Sequence, residues 1–148
     1  MKIIYQELKK EIENYLKPFT FEYAEERFNF EIIDNYYNDN IDLVEVYGYF
    51  KNEYEPEKQT RFILLRFYIN NEFKQIQISN IFLPDFMQHK GIGKKLIYKI
   101  FIISEKEQYE VFVVNMVNHF YQSLIKRGAL PCNECDDAVQ IIDKTKLF

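Results

Sequence analysis

Two cysteines, two histidines and four glycines are few for 148 residues, and each scarcity bears on a class of function. Cys132 and Cys135 form a single C-x-x-C, and a structural zinc would need two more ligands from a chain whose only histidines are His89 and His119. A thioredoxin-type pair would open a helix, whereas residues 131 to 137 read as a loop. Two reduced, incidental thiols and no metal are therefore expected, with a redox or metal site at this pair as the weakest alternative. No run of about 18 apolar residues occurs, so no membrane-spanning helix is expected. A net charge of −4 lacks the clustered Lys and Arg that displace counterions from nucleic acid, so no nucleic-acid partner is expected. The opening residues, Met1 to Glu7, become charged too soon for a signal peptide, which gives the expectation of a cytoplasmic protein.

What is present fits one folded domain over residues 1 to 148, with 47% apolar and 28% charged residues. Ile4, Leu8, Ile12 and Leu16 recur every four residues, predicting an amphipathic helix over 2 to 17 that Pro18 ends. Residues 27 to 33 read as a strand and 38 to 40 as a turn. Two antiparallel strands over 42 to 50 and 61 to 69 follow, rich in β-branched and aromatic residues, and Asn70-Asn71 turns the chain into the next one. Eight carboxylates lie between Glu22 and Glu45 against one base, Arg27. Such a run is most simply a solvated surface, and it would also steer a cationic partner.

The chain is organised around residues 74 to 117. An extended apolar run, 75 to 83, leads into Gln88-His89-Lys90-Gly91-Ile92-Gly93. A helical pattern over 94 to 105 follows, then a near-continuous apolar run over 109 to 114, as in a buried parallel strand. A glycine loop at a helix start leaves backbone N–H groups unpartnered and lets an anion approach them. Lys90, Lys94 and Lys95 crowd the positive end of that helix; they are either merely solvated or await an anion. A dinucleotide fingerprint needs glycine where Leu96 stands, and a Walker A loop needs Ser or Thr where Lys95 stands. Along the preceding strand Ile76 and Ile78 share one parity and Ile81 and Leu83 the other, which one extra residue, a β-bulge near Ser79-Asn80, would produce. The alternative is a plain polar interruption. Asn118 can cap a last helix that Lys126-Arg127-Gly128 ends, with Phe120, Tyr121, Leu124 and Ile125 as its buried stripe, and 138 to 142 is a short final strand.

The Q-x-x-G-x-G loop between Ile81-Phe82-Leu83-Pro84 and Lys94-Lys95-Leu96-Ile97 resembles the acyl-CoA-binding motif of the GNAT superfamily of N-acetyltransferases, over roughly residues 60 to 143. The resemblance implies an α+β (mixed α/β) domain: a central, mostly antiparallel sheet with flanking helices and a splayed parallel strand pair at the acyl-CoA site. It implies acetyl-CoA as co-substrate, held by Phe82, Leu83, Gln88, His89, Lys90, Gly91, Ile92, Gly93, Lys94 and Asn118, and a primary amine as acceptor. The helix that precedes the first clear strand departs from the family's usual order.

The catalytic groups depart from it too. The strand offers Gln75, Gln77, Ser79 and Asn80, none a base near neutral pH, so a carboxylate would have to come from elsewhere, Glu45 first and Asp85 second; both also read as ordinary surface acids. The family's acid is a Tyr four residues before the helix-ending glycine, where Leu124 stands. Tyr121, one turn earlier on the same face, would reach the sulfur, bind CoA or sit in the core. Two readings follow: an acetyl-CoA-dependent N-acetyltransferase acting by direct transfer, or a catalytically silent module that binds acyl-CoA or a protein. The acceptor's identity and the oligomeric state stay open, a homodimer through an exposed strand or helix face being compatible with the sequence.

Overall fold

Four apolar residues at helical spacing, Ile4, Leu8, Ile12 and Leu16, lie buried under the first element of the computed structural model, which describes residues 3–116, 118–132 and 137–147. That element, α1 (Ile3–Glu22), runs past Pro18 instead of ending there. Proline removes one intrahelical hydrogen bond. Here the exposed Pro18 is followed by Phe19, whose ring packs edge-on to Tyr15 at 5.4 Å and against Tyr23 at 6.2 Å, so aromatic packing carries the helix through the break.

Among the described residues, seven strands form one sheet in the order β1-β2-β3-β4-β5-β7-β6. They are β1 (Asn29–Asn38), β2 (Ile41–Lys51), β3 (Gln59–Asn70), β4 (Gln75–Ile81), β5 (Glu110–Val113), β6 (Leu130–Pro131) and β7 (Val139–Ile141). All neighbours are antiparallel except β4 and β5, which are parallel and joined through α2 (Ile92–Lys106). The first strand begins two residues later than its sequence pattern and extends to Asn38. The two-residue β6 is too short to leave a pattern at all. The turn into β4 spans residues 71 to 74, with the Asn70 side chain accepting from the N–H groups of Glu72 and Phe73.

Val44, Phe67, Ile78, Val113 and Val139 form one cross-strand row on the core face, and all are buried. Leu96, Ile97, Ile100 and Phe101 of α2 belong to that core cluster, as do the buried residues of α1, which packs beside α2. This is a mixed α/β domain: the described residues form three α-helices on a mostly antiparallel sheet with a single parallel pair. The last helix, α3 (Asn118–Lys126), buries Leu124 fully, while Phe120, Tyr121 and Ile125 are half-buried. Gly128, at φ +98°, ends it, with the Ala129 N–H returning to Leu124 O at 3.1 Å.

Candidate functional site

The parity change in β4 is a β-bulge. Arg66 pairs with Asn80 and Phe67 with Ile78, so Ser79 is the extra residue. A bulge bends its strand and strengthens its twist. The parallel ladder with β5 accordingly stops at Ile78↔Val113, with a last bond from the Val114 N–H to Ile78 O at 2.8 Å. Beyond it Asn115 takes a left-handed conformation, φ +56°, and the Met116 N–H turns to Asp137 O. The two strands part, and a cavity of about 250 Å³ opens between them, lined by Ser79, Asn80, Ile81, Val114, Met116 and Phe120 among others.

A second cavity, about 300 Å³, adjoins it through Ile81 and Phe120 and is walled by Leu83, Gln88, His89, Gly91, Ile92, Gly93, Lys94 and His119. His119 in turn lines a third, about 420 Å³, with Gln122, Ser123, Lys126 and Arg127. Adjoining through these shared residues, the three line up as a track from the strand gap, past the glycine loop, to a basic end. In a chain of net charge −4, no Asp or Glu among the described residues lines any of the three.

The loop has the expected backbone. Gly91 sits at φ +75° at the start of α2, and a Cβ built there would meet nothing within 4 Å. The first intrahelical bond is Lys95 N–H to Gly91 O at 3.0 Å, so the N–H groups of Ile92, Gly93 and Lys94 precede the ladder. Gln88 ties the loop to β4, its Nε2 donating to Leu83 O at 2.8 Å. From the other side the Tyr15 hydroxyl donates to Ile92 O at 3.0 Å. Burial holds the Lys94 ammonium below its ordinary pKa, and the neighbouring Arg127 charge adds to the effect.

Three residues expected at this site lie elsewhere. Lys90 turns back to α1: its Nζ donates to the Tyr23 hydroxyl at 3.0 Å and stands 5.1 Å from that ring's centre, and the hydrogen bond raises its pKa. Phe82 is half-exposed, and its N–H is committed to Leu64 O at 2.9 Å, so it offers no donor to the gap. Strand alternation instead turns the Ile81 N–H away from β3, to the side of the gap. Asn118 is exposed at the head of α3, where the next two residues, His119 and Phe120, are the ones that line the cavities.

The catalytic candidates are also displaced. Glu45 is buried, receives Arg66 Nε and Nη2 on one oxygen at 2.9 and 2.7 Å, and accepts from Asn35 Nδ2 on the other at 2.9 Å. It lies two strands from Asn80, about 10 Å at ordinary strand spacing. Asp85 is exposed in the short 3₁₀ turn Asp85–Met87. Tyr121 packs against the core and lines none of the three cavities. Cys132 is half-buried, and Cys135 lies outside the described residues. Among the described residues no three His, Cys, Asp or Glu side chains are grouped as metal ligands.

Models of known protein families give no match to the chain, and neither do curated proteins. Among solved structures, it is similar to the crystal structure of a "putative acetyltransferase" from Agrobacterium tumefaciens, with 14% identity over 89% of this chain and 87% of that one and a TM-score of 0.37. The likeness is distant, and the chemistry has to be argued from the site itself. No helix among the described residues is long and apolar enough to cross a membrane.

Proposed function

We propose that the chain is an acetyltransferase that binds acetyl-CoA along the track from the strand gap to the basic end and passes the acetyl group to a primary amine in a ternary complex. The observation that carries this reading is the bulge at Ser79 together with the opening of β4 from β5 directly beside an uncapped helix start. A long ligand with an amide-bearing arm and several phosphates matches such a track. The arm would lie in the gap between unpaired strand edges, and the phosphates would meet the N–H groups of Ile92, Gly93 and Lys94 and the charges of Lys94, Lys126 and Arg127.

In the transfer itself, the amine nitrogen attacks the thioester carbon, the carbonyl oxygen gains charge, and the thiolate leaves. In this reading the N–H groups of Ile81 and Leu83 would stabilise that oxygen. Among the described residues no carboxylate lines the gap, so the amine attacks in its neutral form and the proton its nitrogen sheds as the C–N bond forms passes to water. A thiolate is a good enough leaving group to depart without a strong acid, which the buried Leu124 could not supply.

Calorimetric titration with acetyl-CoA tests the donor half. Micromolar affinity, about −8 kcal/mol, is expected, and an absence of heat would overturn the reading. An acetylation screen over amines then tests the chemistry. The missing carboxylate also favours a second reading, a silent acyl-CoA-binding module, which binding without turnover by any amine would support.

A further inference from the structure

Among the described residues, a single buried side-chain oxygen or nitrogen has no hydrogen-bond partner: Ser79 Oγ. Native proteins satisfy nearly all such groups, and an orphaned hydroxyl in the interior destabilises the folded state. The fully buried Ser104 shows the usual outcome, its hydroxyl donating to Ile100 O at 2.7 Å. Ser79 differs in position as well as in partners. It is the extra residue of the bulge, and it lines the cavity where β4 and β5 separate. Its neighbour Asn80 is already satisfied, with Nδ2 donating to Ile63 O at 2.9 Å. The strand therefore places in the wall of the gap a serine whose hydroxyl is buried and unpartnered.

We infer that Ser79 is a donor-binding residue whose hydroxyl hydrogen-bonds the amide-bearing arm of the acyl donor within this gap. The inference rests on the acyl-CoA reading above and adds a side-chain contact to a gap otherwise offering backbone groups. A hydroxyl both donates and accepts, so it can pair with either the carbonyl or the N–H of an amide in the arm. It also predicts an unusual pairing of effects. Removing a group that is orphaned in the free protein does not destabilise that protein, while it removes a contact from the complex.

The test compares wild type, Ser79→Ala and Ser79→Thr with two ligands, CoA and adenosine 3′,5′-bisphosphate, which carries phosphates but no arm. For Ser79→Ala the expected results are an unchanged or raised Tm without ligand, CoA affinity about 3–10-fold weaker, and unchanged affinity for the bisphosphate. Ser79→Thr, which keeps the hydroxyl, should hold CoA within about twofold of wild type. Equal affinity of Ser79→Ala and wild type for CoA overturns the inference and leaves the acyl-CoA reading intact. A lower Tm with equal losses for both ligands overturns it in favour of a structural role. Failure of wild type to bind either ligand removes the acyl-CoA reading itself and the inference with it.

Discussion

Arg66 on β3 grips one carboxylate oxygen of the buried Glu45 on β2 through both Nε and Nη2, and Asn35 holds the other. Every acceptor position that faces a donor is thus in use two strands away from the gap. Arg66→Ala would strand the carboxylate. Loss of one partner from a fully buried pair costs about 3–5 kcal/mol. Because the Arg66 side chain is 34% exposed, about 2–3 kcal/mol is expected, read as a lower urea midpoint. Glu45→Gln should lose less stability and leave turnover within about threefold, since removal of a true general base costs about 10²–10⁴-fold. A loss of that size would return Glu45 to the chemistry.

The two loop glycines should fail in different ways. Gly91 is needed for its backbone: at φ +75° an L side chain is strained, so Gly91→Ala should cost about 1–2 kcal/mol although the space around it is open. Gly93 has ordinary helical geometry, and a Cβ there would touch Ile81 and Leu83 side chains at 3.6 and 3.8 Å, an unstrained contact. Gly93→Ala should therefore keep the fold, or stabilise the helix by up to about 1 kcal/mol, yet occupy part of the second cavity and weaken acetyl-CoA binding about tenfold. Thermal melts set beside calorimetry separate the two. Gly93→Ala with wild-type affinity would place the phosphates elsewhere.

Lys94 gives a third contrast. Its ammonium is disfavoured by burial and then by Arg127, with no carboxylate among the described residues lining its cavity. A base whose pKa is lowered on folding binds fewer protons folded than unfolded, so its penalty is present at neutral pH and fades as pH rises toward the unfolded value near 10.5. Lys94→Met should accordingly raise Tm at neutral pH in the free protein. The same change should weaken adenosine 3′,5′-bisphosphate binding and flatten its dependence on salt, because a bound anion is what relieves the penalty. A lower Tm in the variant would contradict this account.

Much of this arrangement is legible in the sequence. Ile78 and Ile81 have opposite parity, which located the bulge, and Gly91 with the lysines marked the helix start. Other features lie beyond local pattern. Pro18 reads as a stop, and only the distant Phe86, 5.2 Å from Tyr23, together with Phe19 reveals why α1 continues. Phe120 belongs with Tyr121, Leu124 and Ile125 to a helical stripe whose spacing reads as core, and nothing local says that Phe120 and His119 line a cavity. The direction of the Phe82 N–H depends on which residue of β3 lies opposite, a matter of register that composition does not encode.

Tyr15 connects stability to the site through pH. Its hydroxyl donates to Ile92 O at the first turn of α2, and burial pushes the phenol up to about 12; Tyr5 is pushed to about 12 as well, by burial first and then by Asp34. An acid whose pKa is raised on folding keeps its proton in the folded state where the unfolded chain has lost it. Their stabilisation is complete below the unfolded value of about 10 and is lost as pH climbs through 12. Denaturation midpoints should be level up to about pH 10 and fall steeply from there to pH 12, with phenolate absorbance rising over the same span. Tyr15→Phe should shave the steepness of that fall and cost about 1 kcal/mol at neutral pH, the worth of one neutral hydrogen bond. It should also loosen the first turn of α2, and with it the N–H groups proposed to meet the phosphates, so a modest loss of acetyl-CoA affinity is expected alongside. An alkaline limb identical to wild type would show that Tyr15 ionises freely and does not brace the loop.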